Sequence, residues 1–135
     1  VGPQEEVFTK PVDVFAPCAL GGALNPDTIP LLKCDMVVGA ANNQLLDEKR
    51  DSEALVEKGI LYAPDFMVNA GGIINVSYEL DTYHRELAMR KTEKIYDTTM
   101  RVLNLAAQKQ VTPHEAALRL AEKRIQEVGI NRLYR

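Results

Sequence analysis

The sequence predicts an α/β fold built on mainly parallel strands, and three observations predict it. Short apolar runs rich in β-branched residues recur at 12–16, 35–41 and 59–64, and helical segments rather than tight hairpin turns separate them. Each run ends in a cluster of small or amide-bearing residues. Continuous apolar strands joined by helical crossovers belong to sheets covered on both faces. Ligands of such sheets bind at the carboxyl edge of the strands, which is where "APCALGG", "GAANNQ" and "APDFMVNAGG" fall.

The first strand is expected within "VDVFAPCA", finishing near Ala16 because Pro17 cannot donate to a ladder. Asp27 is expected to cap a short helix through Leu32, with Pro30 in its first turn. "DMVVGAA" supplies the second strand. The charged stretch Asp51 to Lys58, with Leu55 and Val56 inside it, reads as a helix that Gly59 terminates, and "GILYAP" as the third strand. After Asn69, Gly71 and Gly72 open an apolar helical run through Leu80. Ile95, Thr99, Val102 and Ala106 step by 4, 3 and 4, one face of a long helix from about His84 to Lys109. "TPHE" starts the last helix as a capping box, with Thr112 at the N-cap, Pro113 at N1 and Glu115 at N3. Its expected stripe is Leu118, Ala121, Ile125 and Val128. Both helices need a surface to cover, in this chain or in another part of a larger protein. The chain divides on this reading into 1–80, the sheet-bearing unit, and 81–135, a helical segment.

Composition narrows the function. Its 135 residues suit one soluble globular domain, with 46% hydrophobic and 26% charged residues. Sixteen basic and 19 acidic residues, well mixed, leave a net charge of -3 and no basic stripe for nucleic acid or an anionic membrane surface. No apolar run reaches the roughly 18 residues of a membrane span, and no signal peptide is legible, so the expected location is the cytoplasm. Cys18 and Cys34 lack CxxC spacing, and His84 and His114 stand far from both, so no metal site is expected. Two reduced cysteines used as small hydrophobes fit better. The chain begins at Val1, which suggests a processed chain or a fragment.

The strand-end motifs carry the chemistry. Gly39, Ala40 and Ala41 let a flat ring approach the backbone, and the Asn42 amide offers donors and an acceptor in one plane, suited to a carboxamide or a ribose hydroxyl. An Asx-type turn or a helix cap explains the same residues, and this segment alone leaves both open. Glycines after Asn69 permit close approach and leave free N–H groups at a helix entry. Ile73 and Val76, three apart, can wall an apolar pocket or simply pack in the core. Cys18 has no base near it in sequence, so a wall for a cofactor ring suits "APCA" better than a nucleophile. Both histidines are expected at surface or capping positions. No GxGxxG, GxxxxGK[ST] or GxSxG occurs, so the chain has no phosphate cradle of its own.

"DVFAPCALGG", "GAANNQL" and "YAPDFMVNAGGIINV", in that order and followed by a long helix containing "IYDT", resemble the Glu/Leu/Phe/Val dehydrogenase family, most of all its leucine dehydrogenases. The resemblance spans about residues 12–128. It implies the C-terminal half of a Rossmann-like NAD-binding domain, about three mainly parallel strands with flanking helices, followed by two long C-terminal helices. The activity it implies is reversible, NAD-dependent oxidative deamination of an L-amino acid to a 2-oxo acid and ammonia. By the same resemblance Ala16, Pro17, Cys18 and Ala19 border the cofactor, and Asn42 meets its nicotinamide side with Asn43 beside it. Asn69 and Gly71 then border cofactor and substrate, while Ile73 and Val76 line a pocket for a branched aliphatic side chain. The family's catalytic lysine and aspartate belong to an N-terminal domain, so no catalytic residue is carried over and the chain alone is expected to be inactive. The first strand is expected to have an open edge, covered by a second copy in a homo-oligomer or by the missing N-terminal portion. A non-catalytic half-Rossmann binding or assembly module, or a Phe- or Val-preferring enzyme, are the alternatives.

Overall fold

A computed structural model describes residues 4–79 and 83–133. Three parallel strands, β1 (Val14–Phe15), β2 (Met36–Val37) and β3 (Leu61–Tyr62), lie in the order β1-β2-β3, with Val14 beside Met36 and Met36 beside Leu61. The expected α/β class and parallel sheet are therefore present. The strands are shorter than the apolar runs, although single ladder bonds continue past them, from Val12 N–H to Lys33 O (3.1 Å) and from Ala63 N–H to Val37 O (3.0 Å). β1 stops because Pro17 brings no N–H, and β2 stops where Gly39 passes against Pro17.

Each crossover closes on one core. The 22–32 segment and α1 (Glu48–Glu57) cover the sheet through Leu24, Ile29, Leu32 and Leu55, which pack on Val37 and Tyr62. Leu55 is wholly buried while its neighbour Val56 is half exposed. Fully burying such a side chain stabilises by about 1.5–3 kcal/mol. α1 begins at Glu48, three residues before the predicted start, behind the cap Asp47, whose carboxylate accepts from Arg50 N–H at 2.8 Å. Gly59, at φ +75°, ends it as expected. Asp27 does not cap the next element: the short 3-10 turn Ile29–Leu31 follows Thr28, and the Asn25 side chain accepts from Asp27 N–H (2.9 Å) and Thr28 N–H (3.1 Å). Asn25 closes an Asx turn first, so Asp27 is left exposed.

Two short helices, α2 (Asp65–Val68) and α3 (Gly71–Ser77), lead from β3 to the long α4 (Arg85–Lys109) and α5 (Pro113–Leu133). α2 is an element that the sequence reading did not assign. The end of the apolar run at Leu80, and the division between 80 and 81, lie outside the described residues. Val102 and Ala106 of the predicted α4 stripe are buried, with Ile95 and Thr99 half-buried beside them. They join Met67, Ala116 and Ala117 in a second core between α2, α4 and α5. Thr112 caps α5 through Glu115 N–H (3.2 Å), but the Glu115 carboxylate turns forward to Arg119, so half of the capping box is made.

The α5 stripe finds no cover in this chain. Leu118, Ile125 and Val128 are 40%, 71% and 42% exposed, and Ala121 is exposed as well. The face that packs is Pro113, His114, Ala116 and Ala117, where small residues let α5 approach α4 and α1.

Candidate functional site

The three strand ends bring their loops together at one edge of the sheet. Pro17, buried at the end of β1, accepts a hydrogen bond from Ala41 N–H at 2.9 Å. Gly39 is required there: a Cβ on it would stand 2.2 Å from the Pro17 carbonyl oxygen and 2.6 Å from its ring. Gly22, at φ +70°, donates to Asn43 O at 2.8 Å, tying the far end of "APCALGG" to the same loop. Ala16, Cys18 and Ala19 are left exposed along the edge.

Asn42 and Asn43 are both exposed, and Asn43 takes a left-handed conformation at φ +53°. Asparagine tolerates that region better than most residues, so Asn43 makes the turn. Asn42 meets the next loop. Asn69 Nδ2 donates to Asn42 Oδ1 at 2.6 Å and approaches Ala40 O at 3.4 Å. Asn42 Nδ2 and Asn69 Oδ1 make no hydrogen bond among the described residues.

Two residues that the sequence reading did not single out hold this arrangement. Gln44 is fully buried, and its Nε2 donates to Gly39 O and Ala41 O, both at 2.9 Å. Its N–H donates to Asp65 Oδ2 at 3.1 Å, and the Tyr62 hydroxyl donates to Asp65 Oδ1 at 3.3 Å. Burial, with the Asp65 carboxylate adding to it, pushes the Tyr62 phenol well above its ordinary range, so it stays a donor. A polar residue set among apolar neighbours at a strand end, as in "NNQLL" and "APDF", is the signal that marks both.

Gly71 enters α3, but a methyl there would rest 3.7 Å from Thr92 Cγ2, an ordinary contact, and Gly72 faces open space, so packing does not demand either glycine. Ile73 and Val76 share a face of α3 and are 73% and 53% exposed, which excludes the core-packing alternative within the described residues. Cys18 is exposed rather than a buried hydrophobe, whereas Cys34 packs against the core and burial raises its thiol pKa, which disfavours the thiolate. Among the described residues no cluster of three or more His, Cys, Asp or Glu could hold a metal ion.

His84 stands exposed at the α4 N-cap without a side-chain bond, but His114 is a correction. Its ring is buried against Phe66, edge to face at 5.5 Å, with Nε2 3.4 Å from the Glu48 carboxylate in poor hydrogen-bond geometry. The cause is the close approach of α5 to α1, which no local pattern encodes. His114 floors a groove of about 460 Å³ behind Asn42 and Asn43 that Gln44, Asp65 and Phe66 also line. A larger concavity of about 630 Å³ lies between α1, β3 and the α4–α5 turn, away from the strand-end loops, over a mainly apolar floor.

An open parallel sheet whose strand-end loops converge at one edge is the arrangement at which α/β proteins bind their ligands. The Glutamate/Leucine/Phenylalanine/Valine dehydrogenase family model matches residues 1–132, and the chain belongs to that family. It is 50% identical over 120 residues to the L-tryptophan dehydrogenase of Nostoc punctiforme, covering 89% of this chain and 34% of that protein. It is 49% identical over 122 residues to the leucine dehydrogenase of Thermoactinomyces intermedius, covering 90% and 33%. The crystal structure of the Nostoc enzyme superposes with a TM-score of 0.87 at 49% identity, covering 90% of this chain and 37% of that one. The hetero-hexameric glutamate dehydrogenase of Thermus thermophilus superposes at 0.73 with 25% identity, covering 91% and 31%. The chain thus spans about a third of the length of the curated relatives it matches. These relatives are amino acid dehydrogenases, as the strand-end motifs lead one to expect.

Proposed function

We propose that the chain is the nicotinamide-side portion of an NAD-dependent amino acid dehydrogenase, with 1–80 a partial dinucleotide-binding domain and 81–135 a helical segment. The observation that carries the reading is the Asn42–Asn69 pair. With Asn42 Oδ1 taken by Asn69 Nδ2, what remains is a donor on Asn42 and an acceptor on Asn69. Side by side these complement a primary carboxamide, which has one carbonyl oxygen and one NH₂. Ala16, Cys18 and Ala19, small and exposed, leave room for a flat ring against the backbone, with Pro17 beneath them. These residues fit a nicotinamide. Bound there, NAD would supply the two-electron acceptor for oxidation of an amino acid at its α-carbon. Asn42 and Asn69 orient the carboxamide, Asn43 shapes the turn, and Gly71 gives the α3 entry access to substrate.

The exposed face of Ile73 and Val76 suits a branched aliphatic L-amino acid, since neither residue can pair with a side-chain carboxylate. The overall reaction is then reversible deamination of a leucine-like substrate to a 2-oxo acid and ammonia, in the cytoplasm. The pyrophosphate cradle and the proton-transferring groups lie outside these 135 residues, which alone do not turn over. Titrating ¹⁵N-labelled chain with NADH tests the reading: signals of Asn42, Asn69 and Ala16 move together. Saturation without change at these residues would sink the site, and NADH production by the purified chain from leucine and NAD would overturn the division of labour.

The second reading, an assembly module, draws on the exposed edge of β1, where Val12 and Val14 are 43% and 44% exposed. An uncovered edge of this kind pairs with another chain, a second copy or the rest of the same enzyme. A monodisperse monomer across a concentration series in light scattering would count against pairing between copies.

A further inference from the structure

We propose that Gln44 is a positioning residue for the Asn42–Asn69 pair, its buried carboxamide and the Asp65 carboxylate together setting where the two asparagines meet. What the pair binds rests on the cofactor reading above; the positioning does not.

Gln44 Nε2 spends both of its hydrogens on one short piece of backbone, the carbonyls of Gly39 and Ala41, each at 2.9 Å. Those carbonyls bracket Ala40, whose own oxygen faces Asn69 Nδ2. One side chain therefore holds the peptide units that lead into Asn42. The far side is held from β3: Asp65 Oδ2 accepts from Gln44 N–H at 3.1 Å, and the Asp65 carbonyl accepts from Asn69 N–H at 2.9 Å. Asp65 is thus a common anchor, through its side chain for the loop of Asn42 and through its backbone for Asn69. The Tyr62 hydroxyl at 3.3 Å and burial keep the anchor itself from moving.

Filling space does not account for a glutamine here. Gln44 Oε1 is buried without a partner, a desolvation cost that an apolar side chain of equal length would avoid. What glutamine adds is two N–H groups on one neutral atom, long enough to reach both carbonyls. Glutamate has the shape without the donors, and asparagine lacks the reach. Preorganised groups of this kind are worth most where ligand atoms must be met at fixed spacing.

The test is Gln44→Met in the full 135-residue chain, which keeps length and volume and removes both donors. Expected in the folded variant are shifted, broadened side-chain amide signals at Asn42 and Asn69, unchanged signals at Val102 and Ala116 in the second core, and about tenfold weaker NADH binding. Unmoved Asn42 and Asn69 signals in folded Gln44→Met would overturn the proposal. Should the variant not fold, exchange of the Gln44 side-chain amide hydrogens in the unaltered chain decides: slow exchange supports the positioning and bulk-rate exchange overturns it. Absence of NADH binding by the unaltered chain would refute the cofactor reading alone, because the asparagine signals still report on Gln44.

Discussion

Gly39→Ala gives the sharpest test of how the first two strand-end loops are built. The added methyl carbon would lie 2.2 Å from Pro17 O and 2.6 Å from Pro17 N and Cδ. All three belong to a ring or backbone with no rotamer to retreat to, so the loops must separate. Overpacking of this kind costs about 1–3 kcal/mol. Separation also removes the 2.9 Å bond from Ala41 N–H to Pro17 O, about 1 kcal/mol more. The sum, about 2–4 kcal/mol, is a large share of the 5–15 kcal/mol that holds a typical domain together. For a chain of this size it corresponds to a melting temperature lower by about 7–14 °C, read by far-ultraviolet circular dichroism. Gly72→Ala is the control, since nothing lies within 4 Å of its new carbon and alanine favours the helix, so its melting temperature holds or rises. A Gly39→Ala chain melting within about 2 °C of the unaltered one would show that the loops do not meet as described.

Two further substitutions probe the groups around α1 and α5. Burial alone would raise the Asp51 carboxyl, but hydrogen bonds from the Arg50 guanidinium and Asp47 N–H outweigh it and hold its pKa below the usual value. A depressed carboxylate stabilises above its unfolded pKa of about 3.9 and loses that contribution as pH falls through the lower folded value. Asp51→Asn is therefore less stable than the unaltered chain at pH 7, and denaturant melts should show the gap narrowing below about pH 4; a gap independent of pH would refute the charge pairing. His114→Phe removes two buried, unpartnered ring nitrogens and keeps an aromatic ring against Phe66. Its unfolding free energy should be unchanged or higher by up to about 1 kcal/mol, and a loss larger than that would show that the contact with Glu48 matters.

The parallel sheet, the end of α1 at Gly59 and the α4 face carrying Val102 and Ala106 were legible in the sequence. Each follows from a local rule: apolar runs between crossovers, a left-handed glycine, a step of three or four residues. The same rule could not say which face of α5 this chain covers, because 118, 121, 125 and 128 are as periodic as the face that packs. Only the position of α4 and α1 decides which stripe is covered. A shared local pattern carries no information about a neighbour that is distant in sequence.

The site divides along the same line. Sequence alone put the small residues and asparagines at strand ends, since motif order and apolar runs determine which loops share an edge. It could not show that Asn42 and Asn69, 27 positions apart in sequence, bond to each other. Nor could it show that Gly39 is glycine for the sake of Pro17, that Asp65 anchors both asparagine loops, or that His114 is buried. Each is a contact between segments that the chain brings together only after the helices have packed. Tertiary structure decided them because hydrogen bonds and steric contacts act over a few ångströms in space, whatever the separation along the chain.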